Sequence, residues 1–303
     1  MALLRGESGA VVILFTLILV AFLGMLALGV DVGHAYVVRS RLANVADAAA
    51  LAGAQELPDD PEGALAVARD YALRNGIDPA DLTLYIPEDR PNELHVSVRD
   101  VVVHSVARVL GFTSSEVVGR SVGASYPLAG VSGARPFGVE VQDFVLNEVY
   151  LLKLGPQSEG GPYRGNFHAL SLGGTGASRY RDNILNGYDG QLQLGDEIPT
   201  EPGNMAGPTA SAMKALLSQD PDSTYQNYSR NSPRLLLVPL VESFEASGKE
   251  AVSIIGFAMF FLEGWDDATS EIRGRFIRYV MDGEAAWGAA GTDFGLRTVK
   301  VIE

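Results

Sequence analysis

Four consecutive small residues, Gly173-Gly174-Thr175-Gly176, form the first stretch whose residue types could do chemistry. Glycine-rich loops bind phosphates when their backbone N–H groups converge on the anion. The surrounding sequence has neither the G-x-x-x-x-G-K-[ST] spacing nor the G-x-G-x-x-G spacing that such sites need. We therefore expect no nucleotide site, and we predict that these glycines serve tight turns and left-handed backbone positions.

An acidic loop follows this glycine-rich stretch. Asp196, Glu197 and Glu201 lie close together, with Asn204 nearby, and oxygen-rich loops of this kind can hold calcium outside the cytoplasm. The D-x-[DN]-x-[DN]-G spacing of calcium loops is missing. A solvated acidic loop is therefore the prediction, and a calcium site or an envelope enzyme that uses these carboxylates is the alternative.

The sequence lacks the residues or motifs that other kinds of catalytic site need. The chain has no cysteine, which excludes thiolate catalysis, cysteine-based zinc sites and disulfides. It has no G-x-S-x-G elbow for a serine nucleophile and no Ser or Asp partner for His168 by motif. It also has no D-x-S-x-S adhesion motif and no metal-ligand spacing around His95 or His104. A net charge of −14 without a basic stripe disfavours nucleic acid as a partner. We expect no enzyme activity, no cofactor and no metal.

The elements that would position any site begin with an oily N-terminal run. From Ser8 to Val30 there is no charged residue. About 23 residues at 1.5 Å each cover roughly 35 Å, enough to cross the ~30 Å hydrocarbon core of a bilayer with some tilt. The run is long for a signal peptide, whose apolar region has roughly 7–15 residues. We predict a retained anchor, and a cleaved signal peptide or a buried helix in a soluble core are the alternatives.

The orientation of this anchor is only weakly marked. Arg5 precedes the run, and Arg39 and Arg41 follow it, so positive charge is nearly balanced on the two sides. Long acidic domains are translocated largely regardless of charge. We expect a single-pass protein of the inner membrane, with a cytoplasmic N-terminus and most of the chain outside the cytoplasm.

An alanine-rich segment continues from the run without a helix breaker until Pro58. The sequence predicts one helix over residues 10–56, about 70 Å long. Small residues recur at four-residue spacing, which lets helix backbones approach closely. They pack either on their own domain or in a seam between subunits, where Gly33→Leu or Ala49→Leu would disrupt assembly. The candidate packing positions are Gly29, Gly33, Ala46, Ala49, Ala50 and Gly53.

Three motifs in this region give the chain a family resemblance. They are R-G-x-x-G-A at residues 5–10, L-G-V-D-V-G at residues 28–33, and L-x-N-x-A-D-A-A-A-L-A-G-A at residues 42–54. Together they resemble the N-terminal segment of TadE/TadG-like proteins of the tight-adherence (Tad, or Flp) pilus-assembly system of bacteria. The resemblance implies an inner-membrane protein with an extracytoplasmic, pilin-like body. Its implied partners are other pilus-assembly proteins or pilin-like subunits, the membrane lipid and further copies of itself.

One departure from the related prepilins bears on processing. In prepilins, glycine precedes the cleavage site and glutamate stands five residues into the mature chain. Here Glu7 follows Gly6 directly, and Val11 occupies the fifth place. The departure favours a TadG-like permanent anchor over a processed pilin.

The soluble part is predicted to hold two domains. Residues 58–129 read as a small α+β domain with helices at 62–75 and 101–110 and strands at 81–86, 93–98 and 117–126. The small-residue stretch at 127–134 reads as a linker. Residues 130–303 read as mainly β, with one helix at 209–217. The strands of this last domain are predicted at 137–141, 148–154, 235–241, 252–261, 273–280 and 296–302.

The complete prediction is an α+β protein with a long transmembrane, pilin-like helix at residues 1–57. A small α+β domain follows at 58–129, and a barrel- or sandwich-like β domain at 130–303. The predicted function is that of a membrane-anchored pilus-assembly component, a TadG-like minor pilin or envelope anchor, that acts by association. The alternative is a surface-anchored module that binds calcium or a glycan and is unrelated to pili.

Overall fold

The computed structural model describes residues 7–154, 164–203, 205–242, 251–286 and 292–302. The chain forms two compact units. Unit 1 comprises residues 1–125 with 300–303, and unit 2 comprises residues 126–299. The division falls four residues before the predicted boundary at 130, and the predicted linker at 127–134 lies mostly within a long strand.

Unit 1 is built on one very long helix. α1 spans Glu7–Ala54, within three residues of the predicted bounds, and no proline interrupts it. α2 spans Pro61–Arg74 and starts where the Asp60 carboxylate accepts the Gly63 N–H at 2.8 Å, an N-terminal cap. The unit's strands are β1 (Leu82–Tyr85), β2 (Glu93–Val103) and the first part of β3 (Ser114–Ser132).

The three strands of unit 1 form an antiparallel sheet, with β2 between β1 and β3. β2 and β3 are a long hairpin that pairs from Glu93↔Ala124 to Val103↔Ser114. The helix predicted at 101–110 is wrong, because β2 continues to Val103 and only Ala107–Leu110 form a short 3₁₀ turn. The valines at 101, 102 and 103 suit a strand as well as a helix face, and pairing with β3 favours the strand.

Unit 2 is mainly β, as predicted, and its described residues include two helices. Its strands agree with the predicted ones in the clearly apolar stretches, and β9 coincides with its prediction at both ends. The glycine-rich middle holds elements that the sequence did not predict, among them a helix. The elements of unit 2 are β4 (Phe137–Glu140), β5 (Val149–Leu154), β6 (Arg164–Ala169), α3 (Ala177–Asn186), β7 (Gln191–Gln193), β8 (Glu197–Pro199), α4 (Ala206–Gln219), β9 (Leu235–Val241), β10 (Ala251–Asp266), β11 (Glu271–Ile277), β12 (Tyr279–Val280), β13 (Glu284–Ala285) and most of β14 (Leu296–Val301), whose last two residues belong to unit 1.

Six of these strands close into a ring. β10 pairs with β11, β11 with β5, β5 with β6, β6 with β4, β4 with β9, and β9 again with β10. A closed ring leaves no exposed strand edge. The barrel alternative of the predicted fold is therefore the observed one, and β8 pairs with the start of β10 outside the ring.

Two apolar clusters hold the barrel together. Alternate residues of all six strands, such as Val139, Phe167 and Phe260, share one cluster with Tyr180 of α3 and Met213 of α4. The opposite faces of β9, β10 and β11 form a second cluster, which includes residues of β7 and of the later part of β3. Since both faces are covered, β9 is buried at every position, as its unbroken apolar sequence predicts.

Candidate functional site: the N-terminal helix

The apolar half of α1, residues 11–30, is exposed along its length. Phe15 is 65% exposed, Val20 63% and Met25 73%. The one hydroxyl there, on Thr16, donates to the Val12 carbonyl at 2.8 Å, so it carries no unmet hydrogen bond. Among the described residues, α1 is the single helix long and apolar enough to cross a membrane. An apolar surface of this size needs a non-aqueous environment.

Two of the predicted packing positions lie at the C-terminal end of this apolar half or just beyond it. Gly29 and Gly33 are four residues apart on the same helix face and are exposed. A Cβ atom added at either position would meet no atom within 4 Å. Backbone is therefore accessible at this face, in the G-x-x-x-G arrangement that allows close contact with another helix.

The other four predicted positions are already occupied within unit 1. Ala46, Ala49 and Ala50 are 0% exposed and belong to its apolar core. A Cβ on Gly53 would lie 2.4 Å from a Leu94 methyl and 2.6 Å from the Ala64 carbonyl oxygen. The structure thus corrects the intermolecular interpretation at these four positions, because their close contacts are with the chain's own sheet and α2.

The partners of this buried face include two glycines that sequence reasoning missed. A Cβ on Gly119 of β3 would lie 2.4 Å from the Leu42 carbonyl carbon. A Cβ on Gly123 would lie 2.3 Å from the Ala50 carbonyl oxygen. β3 therefore lies directly on the helix backbone. The G-x-x-x-G spacing of 119 and 123 was a signal for this, but it stands in a strand, where that motif has no established meaning.

Asp31 lies where the two halves of α1 meet, and it binds the loop of the β2–β3 hairpin. It is the first charged residue after the apolar run, yet its side chain is only 4% exposed. Its carboxylate accepts the backbone N–H groups of Ser105 at 2.8 Å, Val106 at 2.9 Å and Ala107 at 2.7 Å. Three consecutive N–H donors make a site that suits an anion. The β2–β3 loop is thereby fixed to the helix where its apolar half ends.

Replacing Asp31 with asparagine should free this loop. Only one oxygen would remain to accept three N–H groups, and the amide would turn its own donors toward them. We expect faster amide hydrogen exchange at residues 105–107, while exchange at residues 94–98 stays slow. Asp47→Asn, on the same helix, is the control; equal exchange at 105–107 in both variants would contradict a fixing role for Asp31.

In unit 2 the glycine-rich loop leads into α3. Gly173, Gly174 and Gly176 have φ of 70°, 126° and 124°, so these positions require glycine, as predicted. The Gly176 N–H at the start of α3 points at the Glu201 carboxylate, 3.1 and 3.2 Å from its two oxygens. The protein's own carboxylate therefore occupies the place that a bound phosphate would take.

In the part of the acidic loop that the structure describes, two carboxylates accept backbone hydrogen bonds within the protein. Asp196 accepts the Gln193 N–H at 2.8 Å, and Glu201 is engaged by Gly176. Asn204, the fourth candidate ligand, lies outside the described residues. Within the described ranges, no three His, Asp or Glu side chains are placed to hold a metal ion.

Two of the histidines, His95 and His168, and the buried tyrosine of α3 have neighbours that account for them. His95 Nε2 lies 3.3 Å from the Glu93 carboxylate, and Tyr85 stacks on its ring. Burial lowers the pKa of His168, and Glu140 opposes the shift. Burial also raises the pKa of Tyr180, whose hydroxyl lies 3.2 Å from the Thr209 hydroxyl. None of these groups contributes to a cluster with an evident catalytic role.

The helix, by contrast, corresponds to a known family. Residues 9–56 match the model of the Tad family, described as Flp pilus-assembly TadE/G-like. The N-terminal helix is thus similar to that of TadE/G-like proteins. The match covers the apolar half of α1 and the buried alanine-rich half, and it confirms the resemblance predicted from the motifs at residues 28–33 and 42–54.

The rest of the chain has no such counterpart. No curated protein and no solved structure matches the sequence. The N-terminal helix is therefore the part of the molecule that points to a function. It fits a membrane component of pilus assembly.

Proposed function

We propose that the protein is a single-pass, inner-membrane component of a Tad/Flp-type pilus-assembly system that acts by association rather than by catalysis. The observation that carries the proposal is the TadE/G-like match on α1, together with the exposure of that helix's apolar half. In the proposed orientation the N-terminus is cytoplasmic, and both units lie outside the cytoplasm. Of the two roles, envelope anchor and minor pilin, we favour the anchor because the sequence around Gly6 and Glu7 departs from a prepilin site.

Helix continuity gives the proposed mechanism. α1 passes from its exposed apolar half into the core of unit 1 without a break. A force on the membrane-embedded half is therefore transmitted to unit 1 through a rigid rod and not through a flexible linker. The Asp31 contacts brace the rod where it would leave the bilayer.

The accessible backbone at Gly29 and Gly33 is the proposed association site. A partner helix could approach closely there, near the outer bilayer surface. The partner is a second membrane helix of the same assembly, from a pilin-like subunit or a further copy of this chain. The four buried positions from Ala46 to Gly53 support the rod instead.

A deletion and complementation experiment in the source bacterium tests the proposal. We expect loss of Tad pili when the gene is deleted, rescue by the full chain, and no rescue by a chain whose residues 11–30 carry three arginines. A chain with Val20→Leu, which keeps the apolar character, is the control. Normal piliation in the deletion strain would contradict the proposal.

A further inference from the structure

The loop between β2 and β3, residues 104–113, which we call the hairpin tip, lies level with the end of the apolar half of α1. Gly119 contacts Leu42, and Gly123 contacts Ala50. Four strand residues span about 13 Å and eight helix residues about 12 Å, so β3 runs nearly parallel to the helix axis. The remaining five residues from Gly119 back to Ser114 span about 16 Å, which matches the eleven helix residues from Leu42 back to Asp31.

The hydrogen bonds of Asp31 establish the same level independently. Its carboxylate binds Ser105, Val106 and Ala107 directly. The Ala107 carbonyl in turn accepts the Phe112 N–H at 3.1 Å. Phe112 is thus connected through Ala107, by two hydrogen bonds, to Asp31, the helix residue that directly follows the apolar half.

Three large apolar side chains are exposed at this level, beside exposed polar residues such as Ser105 and Thr113 and the carboxylate of Glu116, which pairs with Val101. Val101, Val103 and Phe112 are 59%, 62% and 67% exposed. Arg108, which is exposed, is the one formal charge between residues 104 and 113, in a protein whose net charge is −14. Tyr36 of α1, 73% exposed, stands just above the same level, where tyrosines of membrane proteins commonly meet the headgroups.

We propose that the hairpin tip is a second membrane contact, inserted into the headgroup region of the outer face of the bilayer beside α1. This proposal rests on the proposed membrane anchoring by α1. If residues 11–30 cross the ~30 Å hydrocarbon core, the membrane surface lies at Asp31, and the tip cannot avoid it. Phe112 of the tip and Val103, the last residue of β2 just before it, bury apolar surface there, and Arg108 faces lipid phosphates.

The contact would fix the tilt and rotation of unit 1 on the membrane. A single helix leaves its domain free to rotate about the helix axis, and its tilt is set by neighbouring contacts. A hairpin that touches the bilayer on one side of the helix provides such a contact. The face that carries Gly29 and Gly33 would then be presented in a defined direction to a partner helix.

The absence of cysteine allows a direct test with single labels on the full chain. Phe112→Cys and Val103→Cys variants would carry an environment-sensitive fluorophore in vesicles of phosphatidylethanolamine and phosphatidylglycerol. Leu17→Cys, in the middle of the apolar half, reports insertion of α1. Thr83→Cys is the control label, exposed on β1. Through the pairing of β1 with β2 and of β2 with β3, Thr83 lies level with residue 120, about 20 Å farther from the membrane along the helix axis than the hairpin tip.

We expect labels at 103 and 112 to be quenched by brominated lipids and to be severalfold less sensitive to aqueous iodide than the label at 83. If both behave like the label at 83 while the label at 17 is quenched by lipid, the inference is wrong and the anchor stands. Protection from iodide without lipid quenching would mean that protein covers the tip, which also overturns the inference. A label at 17 that iodide reaches would refute the anchor and the tip contact together.

Discussion

Replacing Gly123 with alanine is expected to destabilise unit 1 by about 3 kcal/mol, since the core cannot accommodate even one added methyl group there. Its Cβ would lie 2.3 Å from the Ala50 carbonyl oxygen and 2.6 Å from the carbonyl carbon, both backbone atoms of α1. A flexible side chain could move aside, whereas the helix backbone cannot without shifting the neighbouring core. Strand and helix would have to separate along the whole contact.

Gly33→Ala is the matched control for this prediction. The same methyl group is added on the same helix, but no atom lies within 4 Å of it. Alanine favours the helix, so unit 1 should keep its stability or gain about 1 kcal/mol or less. The measurement is urea-dependent hydrogen exchange of the full chain in detergent, which follows peptides of each unit separately. Equal stability of the two variants would contradict the close approach of β3 to α1.

Substitution by leucine can distinguish a position that packs within the chain from one that packs against another subunit. Ala49→Leu is expected to destabilise unit 1, because Ala49 is 0% exposed in its core. Gly33→Leu should leave both units folded and reduce crosslinking to a partner helix, because the bulky side chain blocks the accessible backbone. Intact folding of Ala49→Leu would return that position to the intermolecular hypothesis.

The sequence predicts most of the fold because its strongest patterns are local. The uninterrupted apolar and alanine-rich run determines α1, and the unbroken apolar strand at 235–241 implies burial on both faces, which the barrel provides. α3 was missed because its residues 177–186 carry only two buried apolar side chains, Tyr180 and Ile184, between glycines that indicate a loop. Its N-terminus is completed by Glu201, which is distant in sequence.

The candidate site was only partly predictable for a related reason. Four-residue spacing of small side chains indicates close backbone approach, and all six chosen positions have either that approach or the space for it. The spacing alone does not show whether the backbone that approaches the helix belongs to the same chain or to another subunit. Gly119 and Gly123, about 70 residues away along the chain, decide that question for Ala50 and its neighbours. The role of Asp31 depends on backbone N–H groups, whose positions cannot be read from the identity of the side chains.

Loss of the Arg234 side chain should destabilise unit 2 strongly. It is 6% exposed at the start of β9, and its guanidinium donates to four backbone carbonyls. Nε donates to Leu262 at 2.8 Å, one terminal nitrogen to Ser223 at 2.6 Å and Asp220 at 3.1 Å, and the other to Glu263 at 3.2 Å. The same group lies 5.1 Å above the Phe261 ring. It therefore ties the segment after α4 to the end of β10.

Arg234→Met should destabilise unit 2 by about 3 kcal/mol or more, because methionine fills the space but removes all four hydrogen bonds to these carbonyls. Arg234→Lys should recover only part of the loss, since an ammonium group cannot span the two sides of the fork. Arg230→Met, which removes an exposed guanidinium 6.0 Å from the Tyr279 ring, is the control and should change stability by less than about 1 kcal/mol. The measurement is again urea-dependent hydrogen exchange, followed in peptides of β9 and β10. Unit 1 should be unaffected in all three variants, and equal stability of Arg234→Met and Arg230→Met would show that the buried fork does not support the barrel.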